Sequence, residues 1–320
     1  MIHLYIRMKV IICNKIKEGS DIYFKRGWRI PFDELEKIGW ISIAQTEINT
    51  KLSDFFIAKY GKIPDVILFW NTNTFIQEHL AEILGHPWIK CVYMDDLHQS
   101  SSKVKNYRNT LIDKFDYIFS TYAYTFTKFY PVKDLTKLIW YPHNVNNKFI
   151  VPFNETPHNR LLLSGSLDGN VYPFRHHLYT IRNKYPIDVL PQLSNRKANH
   201  QFYGHNYIKY LNKYIAAFVC CSNKNTPYIV SKFFEIPASG ALMLAYDEFV
   251  KTPLKELGFI DGENYISVTY ENFGEKIAFI TDPAQKHVVD KIRKNGYDLV
   301  WQKHTLRDRI NLIENITLSL

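Results

Sequence analysis

Apolar positions in the first half of the chain come in short unbroken runs, separated by polar or helically spaced stretches. The runs are MKVIIC (8–13), DVILFW (65–70), IKCVYMD (89–95), DYIFSTY (116–122) and LIWYPH (138–143), with ISIAQ (41–45) as a sixth candidate. None alternates polar with apolar. Each therefore reads as a strand buried on both faces, the habit of a parallel sheet covered by helices. KLSDFFIAKYG (51–61) and NTFIQEHLAEILG (73–85) have helical spacing and end in Gly61 and Gly85, where a helix C-cap is expected. The pattern predicts a doubly wound α/β sheet.

NNKFIVPFNETPHNR (146–160), with Pro152, Pro157 and four asparagines, breaks this rhythm and reads as a linker. The alternation then restarts. RLLLSGS (160–166), PIDVL (186–190), IAAFVCCS (215–222) and ALMLA (241–245) are strand-like, while YIKYLNKY (207–214) and PYIVSKFFEIPA (227–238) are helix-like. The closing stretch is mostly helical, and Leu306, Ile310 and Ile313 fall on one face of its last element. The expectation is two α/β domains, 1–150 and 151–320, facing each other across a cleft, with the last helix able to pack back on the first. In open α/β sheets ligands bind beyond the carboxyl ends of the strands, so chemistry is sought there.

A length of 320 residues suits two domains, and 46% hydrophobic with 22% charged residues suits a globular chain. Forty basic and 31 acidic residues give a net charge of +9, which favours anionic partners. The lysines are dispersed and no nucleic-acid-binding signature occurs, which argues against nucleic acid. Phosphorylated small molecules and peripheral contact with an acidic membrane surface stay open. Cys13, Cys91, Cys220 and Cys221 lie in or beside apolar runs with no C-x-x-C pair, and read as reduced, buried residues of a cytoplasmic protein. Arg7 and Lys9 interrupt the apolar opening, and no uncharged run is long enough to span a bilayer. Abundant Lys, Asn, Ile and Tyr suggest an AT-rich genome, viral or low-GC bacterial. The glycine fingerprints of dinucleotide and P-loop folds and the G-x-S-x-G elbow are missing.

SKFFEIPASGALMLAYD (231–247) places Lys232 and Glu235 at i and i+3, neighbours on one helix face. A surface ion pair worth tenths of a kcal/mol is one reading. The flanks favour another: Phe233, Phe234 and Ile236 bury the rest of the helix, Gly240 permits a positive φ, and a buried strand follows. Glu235 is then placed to accept hydrogen bonds from the vicinal hydroxyls of a ribose.

The same stretch resembles the signature of GT-B glycosyltransferases, in particular the branch related to glycosyltransferase families 4 and 1 and the CgeB-like proteins. The likeness continues through LGFIDGENYI (257–266), GYDLV (296–300) and HTLRDR (304–309), and upstream through LIWYPHNVNNKFIVP and RLLLSGSLDG. It covers the chain from about residue 88 onward. The resemblance implies two Rossmann-like domains and a hexosyltransferase-like enzyme. It would move a sugar from a UDP- or GDP-linked donor to a glycan, lipid-linked or protein acceptor, with no metal and no further cofactor. It implies that Glu235 binds the donor ribose, that Gly165 and Ser166 approach the diphosphate, and that Ser239 and Gly240 of the motif belong to the donor-binding set. Two positions depart from the family pattern. Ser166 stands where members often have Arg, so Arg175 or Lys232 must supply the cation. Tyr228 stands where many carry a second Glu, which leaves a catalytically decayed nucleotide- or glycan-binding protein as the alternative.

YMDDLHQSS (93–101) ends a strand in two acids, an apolar residue and a histidine. Asp95, Asp96 and His98 have metal-ligating atoms but no distant ligand to complete a set. A strand-end turn in which Asp96 or His98 caps the next helix is equally compatible. The resemblance implies instead that Asp96 or His98 is catalytic, taking the proton of the acceptor hydroxyl. His143 reads as structural, and Arg307 as the partner of an acid.

Overall fold

The structure is a computed structural model, and it describes residues 7–13, 30–70, 73–98, 102–190, 202 and 204–318. Residues 1–6 of the apolar opening and Gln99–Ser101 of the acidic turn lie outside the described residues. The chain forms two compact units, one of Met1–Pro142 with Ile310–Leu320, the other of His143–Arg309.

The first unit holds a six-stranded sheet of β1 (Lys9–Cys13), β2 (Trp40–Ala44), β3 (Val66–Trp70), β4 (Ile89–Met94), β5 (Tyr117–Ser120) and β6 (Leu138–Trp140). The order is β2-β1-β3-β4-β5-β6 and every pairing is parallel. All five residues of β1 are buried, as the unbroken apolar run requires. Helices α1 (Ile30–Glu36), α2 (Leu52–Tyr60), α3 (Asn73–Gly85) and α4 (Ser102–Ile112) connect the strands. The first N–H groups of α2, which no helix can satisfy internally, are taken by α3: Glu82 accepts from Leu52 N and Ser53 N at 2.8 Å each. Gly61 closes α2 in the left-handed region, φ 74°. Gly85 instead remains the last residue of α3 and takes no positive φ.

The second unit is built on a five-stranded parallel sheet of β7 (His158–Leu163), β8 (Ile187–Val189), β9 (Tyr214–Cys220), β10 (Leu242–Tyr246) and β11 (Ile266–Ser267), ordered β11-β10-β9-β7-β8. Its helices are α5 (Pro173–Thr180), α6 (His205–Leu211), α7 (Lys232–Ala238), α8 (Lys251–Glu256), α9 (Phe273–Thr281) and α10 (Lys286–Lys303). One core joins Leu161 and Leu163 of β7, Phe218 of β9, Leu242 and Leu244 of β10 and Phe174 of α5. Arg293 of α10 is 1% exposed. It donates to the carbonyls of Gly240 (2.9 Å) and Asn154 (2.8 Å) and pairs with Asp290 (2.6 Å). This satisfies its buried charge.

The last helix, α11 (Leu306–Leu318), leaves the second unit at Arg309 and enters the first at Ile310. Leu306, Ile310 and Ile313 are all buried, as their shared face requires. Within the first unit Glu314 accepts from Trp40 Nε1 (2.9 Å) and pairs with Lys9. The alternation thus gave the α/β class and the parallel sheets correctly. It did not reveal β11, whose two residues are too short a run to register. The helix expected over 227–238 starts only at Lys232. The β-branched pair Ile229 and Val230 makes a poor opening turn. Lys232 and Glu235 are therefore in the first turn of α7 rather than near its end.

Candidate functional site

β7 ends at Leu163, and the chain turns through Ser164, Gly165 and Ser166 toward α5. Gly165 has φ +96°, a conformation that side-chain-bearing residues rarely adopt. Close approach imposes a second requirement: a Cβ at Gly165 would lie 2.2 Å from Lys232 Nζ and 3.2 Å from Arg175 Nη1. Two cations from different helices thus converge on the bare backbone of one glycine.

Lys232 donates to the carbonyl of Ser164 at 2.8 Å. Arg175, 2% exposed, donates from Nη1 to the carbonyl of Ser166 at 3.1 Å and lies over the Tyr172 ring, 4.3 Å from its centroid. The buried Arg175 Nε finds no nitrogen or oxygen partner among the described residues; the thiol of Cys220 is beside this guanidinium. Glu235 accepts from Ser231 Oγ at 3.2 Å. The ion pair that the i, i+3 spacing allows between Lys232 and Glu235 is not made among the described residues. The ammonium goes to the β7 loop and the carboxylate to Ser231.

Burial shifts both groups. Desolvation, reinforced by Arg175 and opposed by Glu235, lowers the Lys232 ammonium to about 7. Desolvation raises the Glu235 carboxyl, against the pull of Lys232 and Ser231. A second layer supports the loop: Ser164 Oγ and Tyr207 OH are 2.6 Å apart, and burial raises the Tyr207 phenol. Arg175 sets a positive charge beside the loop backbone, and Lys232 adds a second when protonated. The arrangement suits an anion flanked by hydroxyls.

Gly165, Ser166, Arg175, Lys232 and Glu235 are thus brought together. Ser239 and Gly240 have other work at the far end of α7. Ser239 is fully buried, its hydroxyl donating to Ile236 O (2.6 Å) and accepting from Ala241 N (3.2 Å). Gly240, at φ 81°, offers its carbonyl to Arg293. Tyr228 is 6% exposed, its backbone N–H donating to Thr226 O.

Asp96 and His98 belong to the first unit, just beyond β4, and both are exposed. Asp96 has φ 45°, a strained value for a residue with a Cβ. Arg108 of α4, 4% exposed, fastens this turn by donating from Nη1 to the carbonyls of Asp95 (3.0 Å) and Asp96 (3.1 Å). The neighbouring Asp95 is structural, accepting from Thr121 Oγ1 (2.8 Å), Tyr93 OH (3.3 Å) and the Asp96 N–H (2.9 Å). Among the described residues no three His, Cys, Asp or Glu side chains are grouped to hold a metal ion. His143 keeps a structural place, its carbonyl accepting from Arg309 Nη2 at 3.2 Å. Arg307 is exposed and makes no ion pair among the described residues; its backbone N–H donates to Asn147 Oδ1. The adjacent acid, Asp308, is engaged at the start of the helix instead, accepting from Thr305 N and Oγ1 at 2.7 Å each.

Ser164, Tyr207, Arg108 and Cys220 were not singled out in the sequence. Cys220 carried only a signal of burial, which holds: all four cysteines are buried and reduced. No described helix is long and apolar enough to cross a membrane.

Two Rossmann-like units, each built on a parallel sheet, define the GT-B glycosyltransferase architecture. The profile described as Glycosyl transferase-like matches residues 147–315, and the chain belongs to that family. Solved structures agree on the fold. A glycosyltransferase from Rickettsia africae superposes with a TM-score of 0.60 at 13% identity, over 98% of each chain. HepE from Anabaena, solved with UDP-glucose, gives a TM-score of 0.63 at 9% identity, over 98% of this chain and all of that one. Sucrose-phosphate synthase from Thermosynechococcus elongatus gives 0.61 at 12%, over 98% and 99% of the two chains. No curated protein matches the sequence.

Proposed function

We propose that the second unit binds a nucleotide-sugar donor and that the protein transfers the sugar to an acceptor hydroxyl. The observation that carries this reading is the convergence of Lys232 and Arg175 on Gly165, with Glu235 one helical turn from Lys232. The donor diphosphate lies against the Gly165 loop, held by Arg175, Lys232 and backbone N–H groups. Glu235 accepts from the ribose diol. Arg175 donates to the carbonyl of Ser166, which supports its taking over the role of the Arg that Ser166 replaces in the family pattern. The complex of HepE with UDP-glucose supports a UDP-linked donor, with GDP-linked donors as the comparison.

Transfer leaves a nucleoside diphosphate whose developing charge needs stabilisation. Preorganised cations in a desolvated site supply it without reorganisation, and the scheme assigns no metal to that role. Asp96 and His98 are the proposed acceptor-side groups, one of them taking the proton of the attacking hydroxyl. Ser239 and Gly240 support α7 from behind rather than touching the donor. The acceptor is a glycan, a lipid-linked saccharide or a protein, and the net charge of +9 suits an acidic membrane surface as well as an anionic donor. Tyr228, in place of a second carboxylate, favours one alternative, a protein that binds nucleotide or glycan without turnover.

The test is a thermal-shift screen of UDP- and GDP-sugars, then nucleotide release measured for wild type and Glu235→Ala. A ligand that binds only the folded form raises its melting temperature. Release that falls at least tenfold in the variant supports the assignment. Equal rates remove Glu235 from the site, and binding without release selects the decayed alternative.

A further inference from the structure

The neighbours of Lys232 carry a consequence for how the donor binds, one that rests on the reading just proposed. The groups facing its ammonium come from every element packed around it. Arg175 of α5 is a second cation, 3.2 Å from the point that lies 2.2 Å from Lys232 Nζ. Glu235 of α7 is the one carboxylate, already engaged with Ser231. Cys220 of β9 and Tyr207 of α6 are neutral, because burial raises both their proton affinities. Tyr172, at the start of α5, is raised by burial too and is stacked under Arg175. The ammonium donates to the Ser164 carbonyl, which carries no charge to offset its own. A proton on Lys232 therefore sits against a buried guanidinium with little to hold it.

We infer that the arrival of a nucleotide diphosphate brings a proton onto Lys232, so that donor binding and proton uptake are a single event. The amine lone pair takes a proton from solvent or buffer as the phosphate charges settle between Lys232 and Arg175; no other bond forms or breaks. When the nucleoside diphosphate leaves, the proton leaves with it. The low proton affinity of the empty site supports this, since Lys232 is brought down to about 7 chiefly by desolvation and then by Arg175. Opposite charge within a few ångströms favours the charged form, so two phosphate charges reverse the balance.

The experiment is calorimetry of the full chain with UDP-glucose and GDP-mannose, whose phosphodiesters do not titrate near neutrality. Titrations are run in pairs of buffers of different ionisation enthalpy, at about pH 8 and about pH 6. The expected result is uptake of close to one proton at the higher pH and about tenfold less at the lower, where Lys232 is already charged. Lys232→Arg, charged at both values, should bind with heat independent of buffer. Should that variant fail to fold, the wild-type affinity alone decides: Kd should rise about tenfold per pH unit above about pH 7. Buffer-independent heat in wild type at about pH 8, or uptake persisting in Lys232→Arg, overturns the inference while leaving donor binding intact. No binding of either probe overturns the donor-site reading, and the inference with it.

Discussion

Lys232 Nζ and the carbonyl of Ser164 are joined by a 2.8 Å hydrogen bond that ties the first turn of α7 to the loop after β7. It spans 68 positions of sequence and threads beside a glycine that has no side chain to obstruct it. A carbonyl does not neutralise the charge, so the bond orients the nitrogen without cancelling the positive charge it carries when protonated. The loop, the lysine and Arg175 are in this way held ready for an anion before one arrives, which limits the ordering cost of binding.

Gly165→Ala tests that arrangement directly. The new Cβ would meet Lys232 Nζ at 2.2 Å, and the φ of +96° would be strained. The lysine tip is flexible and can move aside, so the folded state loses only about 1–3 kcal/mol, mainly from the backbone. Donor affinity should fall further, by about tenfold or more, because the displaced ammonium is the ligand. Denaturant unfolding and calorimetry on the same sample separate the two. A variant that binds UDP-sugars as wild type does would show that Lys232 needs no such approach.

Arg175→Lys keeps the charge and removes the fork. Arg175 lies flat over Tyr172 while its Nη1 reaches Ser166 O, a planar geometry that a flexible ammonium cannot reproduce. The expected effect is a roughly tenfold to hundredfold loss in affinity for UDP, with uridine much less affected. The ratio of the two affinities, measured by competition, is the readout. An unchanged ratio would mean that Arg175 acts on the loop and not on phosphate.

The reach of the sequence follows from which contacts are local. Buried parallel strands announce themselves because both faces are apolar, so β1, β3 and β9 needed only their own residues to be recognised. The pair Lys232 and Glu235 was visible because i, i+3 geometry is local, and Arg175 because Ser166 departs from the family pattern and leaves the loop needing another cation. Tyr207 was not visible: its hydroxyl meets Ser164 across 43 positions, and both residues look ordinary in their own segments. The same holds for Arg108, a buried arginine in a polar helix whose carbonyl partners lie 12 and 13 residues away. Ser239 and Gly240 lie in the motif yet serve the turn behind α7, because adjacency in a motif does not fix which end of a helix a residue occupies.

Asp247 should prove the keystone of the β10–β11 edge. It is 3% exposed and accepts from Tyr265 OH and Ser267 Oγ at 2.6 Å each. β11 contributes only two residues to the sheet, so these bonds carry much of its attachment. Asp247→Ala strands two hydroxyls and should cost about 2–4 kcal/mol in unfolding free energy. Asp247→Asn, which retains an acceptor, should fall between. Equal midpoints for the alanine variant and wild type would mean that water replaces the carboxylate.

His304 makes the second unit acid-sensitive. It is 4% exposed, with Nε2 donating to Leu257 O at 2.7 Å, so Nδ1 is the acceptor for Arg309 Nη2 at 2.9 Å. A second proton would break the Arg309 bond and set two cations together. Desolvation, reinforced by Arg309, accordingly lowers the imidazole from 6.5 to about 4. The unfolded chain, with an ordinary histidine, binds its proton first as pH falls. Between pH 6.5 and about 4 the unfolded state is the more protonated one, and folding stability drops as the solution is acidified. The full effect is about 3 kcal/mol, absent above the ordinary histidine value and complete below the depressed one. His304→Gln keeps a donor for Leu257 and an acceptor for Arg309 but cannot titrate. Its denaturation midpoint should therefore fall less than that of wild type on going from neutral pH to about pH 4.5. Parallel losses in the two proteins would place the acid sensitivity elsewhere.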